Sequence, residues 1–178
     1  QAAGTFTMTG STTIIGNFTA TGGTLDTSTG SLSFRSNSAI GYTINVATSQ
    51  MFYNLTFNGN GNTDLYTIAG GDTLVVTGTL TLTNGVVNNG TIDTRGDIVV
   101  ASTADGGTTV IDFGNNALTQ TLIHNGGSAP TLRLDAASDA SDTVVLNANA
   151  TFGGINITDG FSGVVPFNFN GNGAGPYS

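Results

Sequence analysis

Thr79-Leu80-Thr81-Leu82-Thr83 places an apolar residue at every second position and ends in the turn pair Asn84-Gly85. Successive side chains of an extended chain point to opposite faces. The stretch therefore reads as a strand with Leu80 and Leu82 on one side and three threonines on the other. The same alternation appears in Thr5-Phe6-Thr7-Met8-Thr9, in Thr131-Leu132-Arg133-Leu134-Asp135 and in Pro166-Phe167-Asn168-Phe169-Asn170. Gly-Asn, Asn-Gly, Asp-Gly and Gly-Gly pairs separate the segments, and these tolerate the positive φ of tight turns. Spacings of about 6 to 12 residues suit an all-β fold. Asp135-Ala136-Ala137-Ser138-Asp139-Ala140-Ser141-Asp142 has no apolar stripe, and its Asp and Ser side chains compete for backbone hydrogen bonds, so it reads as a loop.

Composition points the same way. The 178 residues include no Cys, no Trp, no Lys and no Glu; the acids are all Asp, and the cations are Arg35, Arg95 and Arg133. Lys and Glu favour exposed helices, whereas Thr favours strands. A net charge of −8 with three scattered arginines speaks against nucleic acid or an anionic membrane as partner. No apolar run approaches the roughly 18 residues of a spanning helix, so membrane insertion is not expected. The chain opens on Gln1 and shows no signal peptide, which fits a processed product or an internal start. Few trypsin-type cleavage sites and no disulfide framework suit an extracellular or cell-surface protein held together by its sheets.

Ordered matches suggest an internal repeat of about 78 residues, spanning approximately 30–100 and 108–166. Phe34-Arg35-Ser36-Asn37 matches Phe113-Gly114-Asn115-Asn116, Thr43-Ile44 matches Thr121-Leu122, and Leu55-Thr56-Phe57 matches Leu132-Arg133-Leu134. A shorter echo links Thr24-Leu25-Asp26-Thr27 to Thr91-Ile92-Asp93-Thr94. Short strands repeated with Gly/Asn turns predict a parallel β-solenoid, one elongated domain with two or three strands per coil. The alternative is an antiparallel β-sandwich, in one or two copies with a boundary near 101–107.

Met51-Phe52-Tyr53-Asn54-Leu55-Thr56-Phe57-Asn58, followed by Asp72-Thr73-Leu74-Val75-Val76-Thr77-Gly78-Thr79-Leu80-Thr81-Leu82-Thr83-Asn84-Gly85, resembles the texture of bacterial secreted β-strand-repeat proteins, adhesin-like and autotransporter-passenger-like. The resemblance runs from about Gly30 to Gly163. It implies export, surface display and an adhesive or scaffolding role.

Sites that could carry chemistry are few. Five Asn-x-Thr acceptor sequences for N-glycosylation begin at Asn17, Asn54, Asn89, Asn149 and Asn156. If Phe18, Leu55 and Ile157 point inward, then Asn17, Asn54 and Asn156 point to solvent. Gly59-Asn60-Gly61-Asn62-Thr63-Asp64 and Gly70-Gly71-Asp72 are incomplete versions of Gly-rich calcium loops, and Asp135, Asp139 and Asp142 could gather oxygen ligands; solvated turn aspartates are the simpler reading. A glycosidase needs two carboxylates at a set separation. Here the acids sit in turns, and the single imidazole, His124, lies beside one. No catalytic residue, metal or cofactor is expected. Thr-x-Thr ladders could order water as ice-binding solenoids do, but their spacing along the chain is irregular.

Unpaired sheet edges are adhesive, and Lys, Pro or a capping helix usually blunts them. This chain has three Pro and no Lys. Two segments could add to a neighbour's sheet: the N-terminal strand within 1–10, carrying Phe6 and Met8, and the C-terminal one carrying Phe167 and Phe169. The expected function is a structural subunit of an extracellular or cell-surface homopolymeric fibre or layer, its partners copies of itself and possibly glycans. The alternative is a monomeric adhesin or carbohydrate-binding module, with Phe52, Tyr53 and Tyr66 as candidate exposed aromatics. A carbohydrate-active β-helix enzyme stands behind both.

Overall fold

The computed structural model describes residues 4–36, 41–61, 64–113, 119–134, 143–146 and 151–157. The chain winds through three strand positions per coil, and the strands pair in parallel with their counterparts in adjacent coils. The described residues contain no helix. This is a parallel β-solenoid. An antiparallel sandwich is excluded, because its hairpins would need neighbouring strands to run in opposite directions.

The first face contains Ser49–Phe52, Thr73–Val76, Thr91–Thr94, Val110–Phe113, Thr131–Leu134 and Ile155–Ile157. The pair Thr5–Thr7 and Thr24–Asp26 leads into it, through hydrogen bonds such as Tyr53 N–H to Thr27 C=O, 3.2 Å. The second face has seven strands: Ser11–Ile15, Ser31–Arg35, Asn54–Asn58, Leu80–Asn84, Ile98–Val100, Thr119–His124 and Thr143–Leu146. The third contains Phe18–Ala20, Gly41–Val46, Leu65–Ile68 and Val86–Asn88, and farther along it lies the pair Ser128–Ala129 and Thr151–Phe152. Between these, isolated bridges Gly85–Ala104 and Asp105–Ser128 carry the stack through residues 101–107, so no boundary falls there.

Coil length varies from 18 residues (Leu80 to its partner Ile98) to 26 (Phe18 to Ile44). The loops absorb this variation while the strands hold register, so the core consists of columns. On the second face Leu32, Leu55, Leu80, Ile98 and Leu122 stack in one column. Beside it stand Ile14, Phe34, Phe57, Leu82, Val100 and His124. On the first face Leu74, Ile92, Ile111 and Leu132 do the same. Phe18, Phe34, Phe57 and Tyr66 form an aromatic chain with ring centroids 5.4 to 5.6 Å apart, two contacts edge-on and one stacked. Such contacts add about 0.5–1.5 kcal/mol each beyond simple burial.

The spacing of about 78 residues carries its anchors from one face to another. Phe34 and Leu55 are on the second face, and Phe113 and Leu132 are on the first. The shorter echo keeps to one side, since Thr24–Asp26 and Thr91–Thr94 both belong to strands that follow the third face.

Candidate functional site

The coil that comes first in the chain is Thr5–Thr7, Ser11–Ile15 and Phe18–Ala20, and each of its strands has a described partner on one side only. Its core-side residues are correspondingly uncovered. Phe6, in register with Leu25, is 60% exposed, whereas the exposed Ile15 points outward in register with Arg35. Met8 is buried. A shallow cleft of about 130 Å³ opens among Phe6, Phe18, Ala20 and Leu25. The backbone is open as well. Ser31 N–H donates to Gly10 C=O at 3.1 Å. In a parallel ladder alternate residues bond to alternate sides, so the amides of Thr13 and Ile15 face the open edge.

Gly10 marks the same edge. It stands in a corner column, Gly10, Gly30, Tyr53, Gly78, Gly96 and Gln120, in which three later glycines lie close against the preceding coil. A Cβ at Gly30 would lie 2.6 Å from Met8 O, one at Gly78 would lie 2.8 Å from Tyr53 O, and one at Gly96 would lie 1.9 Å from Gly78 O. Only glycine permits these approaches. A Cβ at Gly10 would meet nothing within 4 Å among the described residues.

Elsewhere the polar residues expected to carry chemistry hold the coils together. Asp72 is 8% exposed and its Oδ2 accepts the Val46 N–H at 2.8 Å. Asp64 is 2% exposed and accepts the Asn60 N–H. These two turn aspartates are therefore not solvated, which corrects the sequence reading. An unmade backbone hydrogen bond in a buried corner is costly, and each carboxylate supplies one. Asp97 accepts from Thr121 N–H (2.8 Å), Asp105 from Gly85 N–H (2.9 Å), Asn88 from Thr108 N–H (3.1 Å) and Asn17 from Thr43 N–H (2.8 Å). Each of these four bonds crosses from one coil to the next. A faint sequence signal existed, an Asp or Asn at the corner just before or after a strand, but nothing in the sequence says which coil it reaches.

Among the glycosylation acceptors, Asn17 and Asn89 are exposed, and Asn89 has the positive φ of a tight turn. Asn54 is engaged at both ends, accepting the Thr79 N–H (2.8 Å) and donating to Ser31 Oγ (3.1 Å). Asn156 pairs in register with Arg133. Asn149, Phe167, Phe169 and the 135–142 segment with Asp135, Asp139 and Asp142 lie outside the described residues. His124 ends a strand with its side chain buried in the second-face column, and its Nδ1 accepts the Gly126 N–H at 3.2 Å. Phe52 and Tyr66 are fully buried, so of the three candidate aromatics only Tyr53 is exposed.

The nearest approach to a carboxylate pair is Asp93 and Asp112, in register on adjacent first-face strands. Each is held by an arginine, Asp93 by Arg95 (3.0 Å) and Asp112 by Arg133 (2.5 Å). Among the described residues no group of three or more His, Cys, Asp or Glu gathers in metal-binding range, and no helix is long and apolar enough to cross a membrane. Hydroxyls of Thr13, Ser33, Thr56 and Thr81 fall in one outward column despite their uneven spacing in sequence.

Two ionisations respond to this architecture. Burial, reinforced by the Asp64 carboxylate, pushes the Tyr66 hydroxyl well above the usual tyrosine range, and the Ser36 backbone offsets this only in part. The Ser28 backbone N–H, at 3.1 Å, and then the Ser28 hydroxyl hold Asp26 below the ordinary carboxylate value.

Comparison with protein families, curated proteins and solved structures gives no match. The solenoid and its open first coil are what the chain offers for a functional reading.

Proposed function

We propose that this chain is a structural subunit that assembles end-on through its first coil into an extracellular or cell-surface homopolymeric fibre or layer. The observation that carries the reading is Phe6, a core-side aromatic in register with Leu25 that is 60% exposed. Beside it, a Cβ at Gly10 would meet nothing within 4 Å among the described residues. A coil supplied by another copy would fill the space, cover Phe6, and satisfy the amides of Thr13 and Ile15. A heterologous, non-closing contact of this kind propagates into a filament. The resemblance to secreted adhesin-like repeat proteins and the Lys-free composition favour the extracellular setting. Further support comes from the acids, five of which among the described residues (Asp26, Asp64, Asp72, Asp97 and Asp105) serve backbone amides.

The test is negative-stain electron microscopy of the 178-residue chain beside Gly10→Val. The variant has room to fold, so its far-UV circular dichroism and urea midpoint should match the parent. Filaments from the parent and none from Gly10→Val are expected. Monodisperse compact particles from the parent would remove self-assembly and leave the monomeric adhesin module in its place.

A further inference from the structure

We infer that the gap between the second and third coils on the first face is a binding cleft for a single neutral sugar residue. The gap has described strands on both sides. Thr5–Thr7 and Thr24–Asp26 form one small sheet, and the six-stranded sheet begins at Ser49–Phe52. The second face runs unbroken through the same coils, from Ser11–Ile15 by Ser31–Arg35 to Asn54–Asn58. The split is therefore local to the first face, and it does not depend on the end-on assembly proposed above.

Gln50 accounts for the split. It stands in the inward column that Leu74, Ile92, Ile111 and Leu132 continue in later coils. A side-chain amide among apolar neighbours is costly unless it finds hydrogen-bond partners. Gln50 Nε2 donates to Leu25 C=O at 3.0 Å and to Met51 C=O at 2.8 Å. The Thr27 hydroxyl also donates to Met51 C=O. Side chains thus take carbonyls that a continuous ladder would give to backbone N–H groups. Backbone bonding resumes where Tyr53 N–H donates to Thr27 C=O at 3.2 Å.

A cleft of about 290 Å³ opens there. Thr5, Thr24, Asp26 and Ser28 line it from the first two coils, and Met51 lines it from the third. Leu25, packed against the core, lines it as well. Met51 and Tyr53, two residues apart, are both exposed. The lining carries one carboxylate and no cationic side chain, which disfavours an anion. A single carboxylate also falls short of the several that calcium sites gather. A sugar ring fits this chemistry. Its hydroxyls donate to Asp26 and exchange hydrogen bonds with the Thr and Ser hydroxyls, while its C–H face lies on Met51, with Tyr53 beside the cleft. Ser28 N–H, at 3.1 Å, holds Asp26 Oδ1 in place. Pockets for drug-sized ligands begin at about 300 Å³, so this cleft suits one ring rather than a chain of them.

The 178-residue chain has two methionines, Met8 in the core and Met51 in the cleft. Isotope-labelled methionine methyl groups, read by NMR in dilute full-length chain, therefore give one reporter inside the site and one outside it. The probes are the methyl glycosides of glucose, galactose, mannose and N-acetylglucosamine. At least one should shift the Met51 signal saturably, with a dissociation constant on the order of 1 mM, and leave Met8 unmoved. Asp26→Asn keeps an acceptor for the Ser28 N–H and should weaken that binding about tenfold. Gln50→Leu lets the inward column close and the ladder form. It should keep the parent's circular dichroism and lose the Met51 shift. Failure of all four glycosides to move Met51, or an equal response to glycerol, would overturn the sugar site. A Met51 shift with calcium or inorganic phosphate in place of the glycosides would overturn the ligand class. Undiminished affinity in Asp26→Asn would overturn the role of the carboxylate, and in Gln50→Leu that of the wedged amide.

Discussion

The first coil and the middle coils are made of the same kinds of residue and live in opposite surroundings. Leu55, Leu80 and Ile98 have neighbours above and below and are fully buried, whereas Phe6, among the described residues, has a strand neighbour on one side only. A Cβ at Gly96 would press against a backbone carbonyl, and one at Gly10, its equivalent in the first coil, would meet nothing within 4 Å among the described residues. In a solenoid each coil buries its apolar side chains chiefly against its two neighbours. A residue's energetic weight therefore depends on where its coil stands more than on its type. The first coil carries a core-type residue, Phe6, in a surface residue's environment.

The contrast should be largest at the corner glycines. Gly96→Ala forces a methyl group into the Gly78 carbonyl and should destabilise the fold by about 3 kcal/mol or more, while Gly10→Ala should leave the urea midpoint of the unassembled chain unchanged. Equal losses at both positions would break the comparison. Leu80→Ala should cost about 2–5 kcal/mol against about 1 kcal/mol or less for Phe6→Ala, again by urea unfolding of dilute protein. Asp72→Ala should cost about 1–3 kcal/mol by leaving the Val46 N–H buried without its acceptor. A loss well below that would mean water replaces the carboxylate.

The smallest effect is a pH dependence. Tyr66 has its folded-state pKa raised, so the folded chain holds that proton more tightly than the unfolded chain does. The associated stability is intact below the unfolded tyrosine value of about 10 and is lost as pH rises beyond it. Tyr66→Phe should change neutral-pH stability by about 1 kcal/mol or less and should flatten the decline above pH 10. A decline that persists unchanged in the variant would place its origin elsewhere. Asp26 behaves in the opposite sense: its lowered pKa contributes stability above the unfolded carboxylate range that is lost as pH falls through the folded value.

The strands were legible wherever alternation was strong. The 79–83 and 131–135 stretches lie along Leu80–Asn84 and Thr131–Leu134, and Asn89-Gly90 takes the positive φ its turn needs. Three strands per coil and parallel pairing were legible only as one of two architectures, because coil lengths from 18 to 26 residues hide the register that the columns restore. The buried aspartates were misread since Asp in a Gly-rich turn looks the same in sequence whether it faces water or a neighbouring coil's amide. Phe52 and Tyr66 were misread because one aromatic residue in a strand does not reveal which way it points. The open edge was visible in part through Phe6 and Met8; only the stacked geometry separates them, leaving Phe6 exposed and Met8 buried.

Hydrogen exchange at the amides of Thr13 and Ile15, measured in dilute chain and under assembling conditions, tests the central claim most directly. Both amides should exchange rapidly in the dilute protein, while those of Leu55 and Leu80, bonded to Thr79 and Asp97 carbonyls at 3.0 and 2.9 Å, stay protected. On assembly Thr13 and Ile15 should become protected too. Protection of Thr13 and Ile15 in the dilute monomer, or its absence in the assembled form, would contradict the account.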